Sequence, residues 1–145
     1  MKINQLSVLL ENKPGALKDV CRLLADNDID ISTLSLADTK DFGILRLIVK
    51  DWKRACDVLI ANGLVVTVTG VVAVEVENRP GGMCRILDTL DRYSINVEYM
   101  YAFVSPVNNR AVVILRFDAP EVAIERLSAD HAVNFVGPEA IFTTK

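Results

Sequence analysis

One short phrase occurs twice in the chain. Residues 11–17 read Glu11-Asn12-Lys13-Pro14-Gly15-Ala16-Leu17, and residues 77–83 read Glu77-Asn78-Arg79-Pro80-Gly81-Gly82-Met83. The two copies lie 66 residues apart and match as acid, Asn, base, Pro, Gly, small, apolar. The register extends outward. Val20 aligns with Ile86, Leu24 with Leu90, Ile29 with Ile95, Ile31 with Val97 and Leu34 with Met100. A repeat fixes architecture before any local reading, because each copy must be one supersecondary unit. A length of 145 residues favours one domain. The repeat divides it into a first domain, 1–70, and a second, 71–145. Domains of about 70 residues bury a low fraction of their surface, so the halves are expected to share an interface.

Hydrophobic periodicity supplies the elements. Residues 2–10 read as a strand that becomes fully apolar at its end. Asn12 to Gly15 turn the chain, and Pro14 suits a helix start, where a missing N–H costs nothing. Leu17, Val20, Cys21 and Leu24 then follow at i, i+3, i+4, i+7, one face of a helix running to about Asn27. Strands are expected at 29–36 and 42–49, around a polar turn at 38–41. Asp51 can cap a second helix with Ala55, Val58 and Leu59 on its buried face, and Asn62-Gly63 can stop it. A strand at 64–68 closes a βαββαβ unit, and Thr69-Gly70 reads as a short connection.

The second unit repeats this order. Its strands are expected at 71–76, 95–103, 111–117 and 134–136, with 105–109 as a turn two residues longer than its counterpart. Met83, Ile86, Leu87 and Leu90 form the expected face of its first helix. Pro120 opens the second, where Ala123 and Leu127 match Ala55 and Leu59 at a shift of 68. Residues 140–142 read as one extra strand. The fold class is α+β: two tandem ferredoxin-like units with antiparallel sheets and helices on one face.

Composition narrows the function classes. A chain 51% hydrophobic and 24% charged is ordered and globular. A net charge of −3 with no Lys/Arg run argues against nucleic acid, which needs a concentrated basic patch. No apolar run reaches the ~20 residues of a membrane span, and the N-terminal residues lack a signal-peptide core. Membrane partners are therefore not expected, and the reading is cytoplasmic. Cys21, Cys56 and Cys84 are odd in number and form no CxxC, which reads as buried free thiols in a reducing compartment. One histidine and scattered cysteines match no zinc spacing, and no nucleotide, flavin or hydrolase motif occurs. No metal and no cofactor is expected, and no nucleophile–base pair is visible for an enzyme.

The repeated phrase is the candidate site. It ends a strand and opens a helix, whose first N–H groups and partial positive charge accept carboxylates or phosphates. Gly15 and Gly81 allow close approach to the backbone. Asn12 and Asn78 offer both donor and acceptor, which suits a zwitterion. A plain tight β–α turn explains the same residues.

The pattern Glu-Asn-Lys/Arg-Pro-Gly-x-Leu/Met after a first strand, within βαββαβ, resembles the ACT domain, an amino-acid-binding regulatory module. Ile29-Asp30-Ile31 and Ile95-Asn96-Val97 resemble its second-strand opening. The resemblance implies a free amino acid bound between two units, with the loop Asn of one and the second-strand Asn of its neighbour. On that carry-over the ligand-binding residues are Asn12, Pro14, Gly15, Ala16, Leu17 and Asp30 from the first domain. Asn78, Pro80, Gly81, Gly82, Met83 and Asn96 come from the second. Asp30 departs from the expected Asn, so Asn12 with Asn96 and Asn78 with Asp30 make unequal sites, of which one is expected to be fully competent. Leu10 and Val76 stand where some members carry a His. The implied role is a stand-alone sensor, a homodimer with a regulated partner enzyme. The alternative is an interaction module that associates through sheet edges without a ligand.

Other candidates read as packing. His131 is expected at the surface near a helix end and Trp52 against the core. Tyr99 and Tyr101 share a strand face and, with Tyr93 and Phe103, are expected in packing or as a ligand wall near Asn96.

Overall fold

A computed structural model describes residues 2–104, 109–131 and 133–142. The elements are β1 (Ile3–Glu11), α1 (Ala16–Asp26), β2 (Ile31–Asp38), β3 (Phe42–Val49), α2 (Trp52–Ala61) and β4 (Val65–Glu77). They continue as α3 (Gly82–Arg92), β5 (Val97–Val104), β6 (Arg110–Phe117), α4 (Pro120–Ser128), β7 (Asn134–Val136) and α5 (Pro138–Phe142). The chain divides into two compact units. One spans Asn4–Thr69, the other Gly70–Lys145 together with Met1–Ile3. Each is βαββαβ-like, α+β, with an antiparallel sheet and its helices on one side.

In the first unit β3 is central, antiparallel to β1 through Leu6↔Leu47 and Val8↔Leu45, and to β2 through Leu34↔Leu47 and Leu36↔Leu45. In the second unit the order is β7-β4-β6-β5, with Val74↔Val113 and Ala102↔Val113. Strand alternation sends Leu6, Val8, Leu10, Leu45 and Leu47 under α1 and α2, where they are buried with Val20, Leu24, Ala55 and Leu59. The second core uses Val72, Val74, Val76, Val113 and Leu115 with Ile86, Leu90, Ala123 and Leu127. These are the same positions shifted by 66, or by 68 after the second hairpin. Each fully buried Leu or Val contributes roughly 1.5–3 kcal/mol, and the periodicity that supplied them is what makes both units fold alike.

Four expectations are corrected. β4 is one strand of 13 residues, so Thr69-Gly70 is strand and not a connection. A β-carbon on Gly70 would stand 3.2 Å from the flexible, exposed Lys2 side chain. Residues 138–142 form α5, not a strand, because five apolar-rich residues carry no decisive period. Leu87 is 42% exposed; α3 is rotated so that Gly82, Ile86, Thr89 and Leu90 face inward. The cysteines are unpaired, as expected, yet Cys84 is exposed and Cys21 and Cys56 are half-buried. Residues 105–108 of the longer turn lie outside the described residues.

Local signals elsewhere agree with the elements. Asp51 caps α2, accepting from the Arg54 backbone N–H at 3.3 Å. Gly63 follows that helix at φ +84°. Pro120 occupies the first turn of α4. His131 is exposed, and Trp52 is half-buried against the first core. No helix among the described residues is long and apolar enough to cross a membrane.

Candidate functional site

Both copies of the phrase fold into the same loop. Lys13 N–H donates to the Glu11 carbonyl at 2.9 Å, and Arg79 N–H donates to the Glu77 carbonyl at 2.9 Å. Gly15 (φ +92°) and Gly81 (φ +85°) are the left-handed N-caps of α1 and α3, a conformation that costs a glycine little. Asp19 N–H then closes on the Gly15 carbonyl, as Arg85 N–H does on Gly81. Pro14 and Pro80 sit exposed just before the caps. The base of each phrase pairs with its acid, Lys13 Nζ to Glu11 at 2.9 Å and Arg79 to Glu77. That pairing holds the Lys13 ammonium above its usual pKa, chiefly through the hydrogen bond to Glu11 and then its charge.

The two asparagines are anchored at the neighbouring β-hairpin. Asn12 N–H donates to the Asp41 carbonyl at 3.0 Å, and its Nδ2 reaches the Thr39 and Lys40 carbonyls at 3.5 Å. Asn78 Nδ2 donates to Asn109 Oδ1 at 3.1 Å. Donation through Nδ2 leaves Oδ1 as the acceptor for a ligand ammonium. The first-turn N–H groups of α1 and α3, each an 11-residue helix, supply donors for a carboxylate.

Asp30 and Asn96 are not brought to these loops within their own unit. Each is exposed and stands one residue before its strand, just past the end of α1 or α3. The loop lies at the start of the same helix, and 11 residues of helix span about 16 Å. Loop asparagine and strand-opening residue therefore sit at opposite ends of a helix in each unit.

The space beside the loops differs between units. In the second, a cavity of about 420 Å³ is bordered by Asn78, Pro80, Gly81 and Met83, with Ala102 and Ala111 on the strands. In the first, the positions of Ala102 and Ala111 are Leu36 and Gly43, and Leu36 Cδ1 lies 3.3 Å from where a Gly43 β-carbon would stand. Ala16 and Leu17 are half-buried, the counterparts of buried Gly82 and half-buried Met83. Gly82 has no room for a side chain, since a β-carbon would overlap the Glu77 carbonyl oxygen. Repeat alignment contains this asymmetry, but only after the two extra residues of the second hairpin are allowed for. Tyr99, Tyr101 and Phe103 lie half-buried on the face of β5 opposite Ala102, so they do not border this cavity. Tyr93 packs on the second core. Among the described residues no cluster of His, Cys, Asp and Glu could hold a metal ion.

A family model described as an ACT domain pair matches residues 1–143. The crystal structure of a protein from Bacteroides thetaiotaomicron has a TM-score of 0.90 and 36% identity, covering 99% of this chain and 97% of that one. The ligand-free regulatory subunit of aspartate kinase from Thermus thermophilus has a TM-score of 0.62 and 16% identity, over 87% and 91% of the two chains. The corresponding subunit from Thermus flavus gives 0.64 and 15%, over 89% and 90%. No curated protein sequence matches the chain. The two Thermus likenesses show the fold, while the match across both repeats and the full-length likeness to the Bacteroides protein show the lineage: the chain belongs to the ACT domain pair family.

Proposed function

We propose that the chain is a non-catalytic regulatory module that binds a free amino acid at its β1–α1 and β4–α3 loops, with the loop of the second unit as the principal site. One observation carries this reading. An asparagine acceptor, a left-handed glycine and a helix start border a cavity of about 420 Å³ in the second unit. That is within the size range of small-molecule sites. In the first unit Leu36 occupies the matching space. A carboxylate at the α3 N-terminus and an ammonium at Asn78 Oδ1 complement what those groups offer.

On the family resemblance, the site is completed by a strand-opening residue of a neighbouring chain, in keeping with the helix length that separates these residues from the loops within a unit. Asn96 and Asp30 are the residues that such a neighbour presents. The helix-facing sides of the outer strands support association: Leu34 and Leu36 of the first unit and Met100 and Val104 of the second are exposed there, Leu34 and Met100 in equivalent positions. A homodimer covers such strips. Regulatory subunits of aspartate kinase share the fold. By that likeness, the output is control of a partner enzyme through a ligand-shifted equilibrium, which requires the two states to differ in affinity.

A thermal-shift screen of the twenty amino acids tests it. A ligand at about 100 times its Kd adds about 2.7 kcal/mol. One or a few amino acids are expected to raise the midpoint, and Asn78→Ala to abolish the rise. If none of the twenty acts, the amino-acid reading fails. The same exposed strips would then favour an interaction module, visible as a stable dimer by sedimentation.

A further inference from the structure

A second groove lies in the first unit, between the first half of α1 and the stretch where α2 ends and β4 begins. It holds about 530 Å³, and its apolar lining includes Leu9, Leu23, Phe42, Leu64 and Val65. Three of these are large exposed apolar side chains: Leu9 at 43%, Phe42 at 45% and Val65 at 62%. The second unit has the equivalent groove, and it serves as an internal control. There it holds about 270 Å³, and the positions of Leu9, Leu23 and Phe42 are Glu75, Thr89 and Arg110. Glu75 and Arg110 are ion-paired, and Arg85 is 3.7 Å from Glu77. One fold position has thus become a charged, self-satisfied surface in one unit and an open apolar groove in the other.

We infer that the first-unit groove is a further small-molecule site, taking an amine carried on an apolar body about the size of a phenylalkyl group. Volume and lining set the body, since ligand sites of roughly 300–1,000 Å³ are predominantly apolar with few polar groups. The rim sets the charge. It carries Glu11, Lys13 and Asp19, two carboxylates against one ammonium. Lys13 is already held by Glu11 at 2.9 Å, and no ion pair joins Asp19 to another described residue. The rim is therefore net acidic beside an apolar floor, which attracts a cation and repels an anion. This site borders the β1–α1 loop through Glu11, Lys13 and Ala16, lies in the other unit from the cavity beside Asn78, and does not depend on the amino-acid reading.

The test titrates phenethylamine into the full chain, with 3-phenylpropionate as its anionic counterpart, followed by calorimetry and methyl NMR. Saturable phenethylamine binding is expected, with Leu23 and Val65 methyl shifts. Phenylpropionate should bind about two- to fivefold more weakly, the scale of an exposed charge contact. The double substitution Leu9→Glu/Phe42→Arg writes the second unit's residues into two half-exposed positions and should abolish binding while leaving any amino-acid response intact. Asp19→Asn, at an exposed position, should narrow the amine–acid preference and decides the matter if the double variant folds poorly. The inference is overturned if phenethylamine does not bind, if binding survives the double substitution in the folded protein, or if phenylpropionate binds as tightly.

Discussion

Leu36 lies across Gly43, with its Cδ1 3.3 Å from where a β-carbon would stand. In the second unit the same two places hold Ala102 and Ala111, and a cavity of about 420 Å³ opens over them beside Asn78. A pair of side chains thus distinguishes two loops whose backbones are alike.

Exchanging those side chains should therefore exchange the behaviour of the loops. Ala102→Leu is expected to fill the second cavity and remove the ligand-induced rise in midpoint. Ala102 is exposed, so the unliganded stability should change by no more than about 0.5 kcal/mol. Leu36→Ala should leave stability nearly as it was and raise the calorimetric stoichiometry by opening the first loop. Full ligand response in Ala102→Leu would show that the strand side chains do not gate the site.

Gly82 and Ala16 occupy one repeat position with opposite tolerances. A β-carbon on Gly82 meets the Glu77 carbonyl, a backbone atom that moves only with its strand. Gly82→Ala is expected to cost about 1–3 kcal/mol, the range of forced overpacking. Ala16→Gly should cost only roughly 0.5–1 kcal/mol, the entropic cost of glycine. Urea denaturation measures both, and equal values would mean that the second loop relaxes to accept a methyl group.

The repeat, the strand and helix order and the loop were legible because they rest on periodicity and on residues with singular backbone roles. Asp51, Gly63 and Pro120 each do locally what their side chains dictate. Leu87 was misleading because an i, i+4 pattern defines a face only to within the rotation of the helix, and Thr89 takes the buried place. Gly70 looked like a break because glycine marks turns more often than strand interiors, and the pairing that carries β4 through it is distant in sequence. The site residues were readable as a set but not as a site. Asn78 and Asn96 are 18 positions apart, and only the helix between them reveals that they stand at its opposite ends. The grooves were invisible for a different reason: Leu9 and Phe42 read as ordinary strand residues until Glu75 and Arg110 stand beside them.

Removing the α2 cap should be a clean local perturbation. The Asp51 carboxylate accepts from Arg54 N–H at 3.3 Å at an exposed helix start. Asp51→Ala is expected to cost about 1 kcal/mol, and Asp51→Asn much less, because asparagine also caps. Chemical denaturation distinguishes them. Equal losses would assign the effect to charge at the helix terminus and not to the hydrogen bond.

The N-terminal segment is tied to α4 by Lys2 Nζ, 2.7 Å from Glu121. The Lys2 hydrogen bond is the main cause that holds the Glu121 carboxyl below its ordinary value of 4.5, followed by its own backbone N–H and the Lys2 charge. A carboxylate whose pKa is lower folded than unfolded adds stability above the unfolded value, and that increment is lost as pH falls through the folded one. Glu121→Gln should therefore be less stable than the parent near neutral pH, and the difference should close well below pH 4.5. Both side chains are largely exposed, so the increment is small and screened. It should shrink further in about 1 M salt, where the Debye length is ~3 Å. Urea titrations at the two pH extremes and two salt concentrations give the four values needed. A gap that stays constant in acid would show that the glutamine disturbs the first turn of α4 sterically, and that the ion pair with Lys2 contributes nothing measurable.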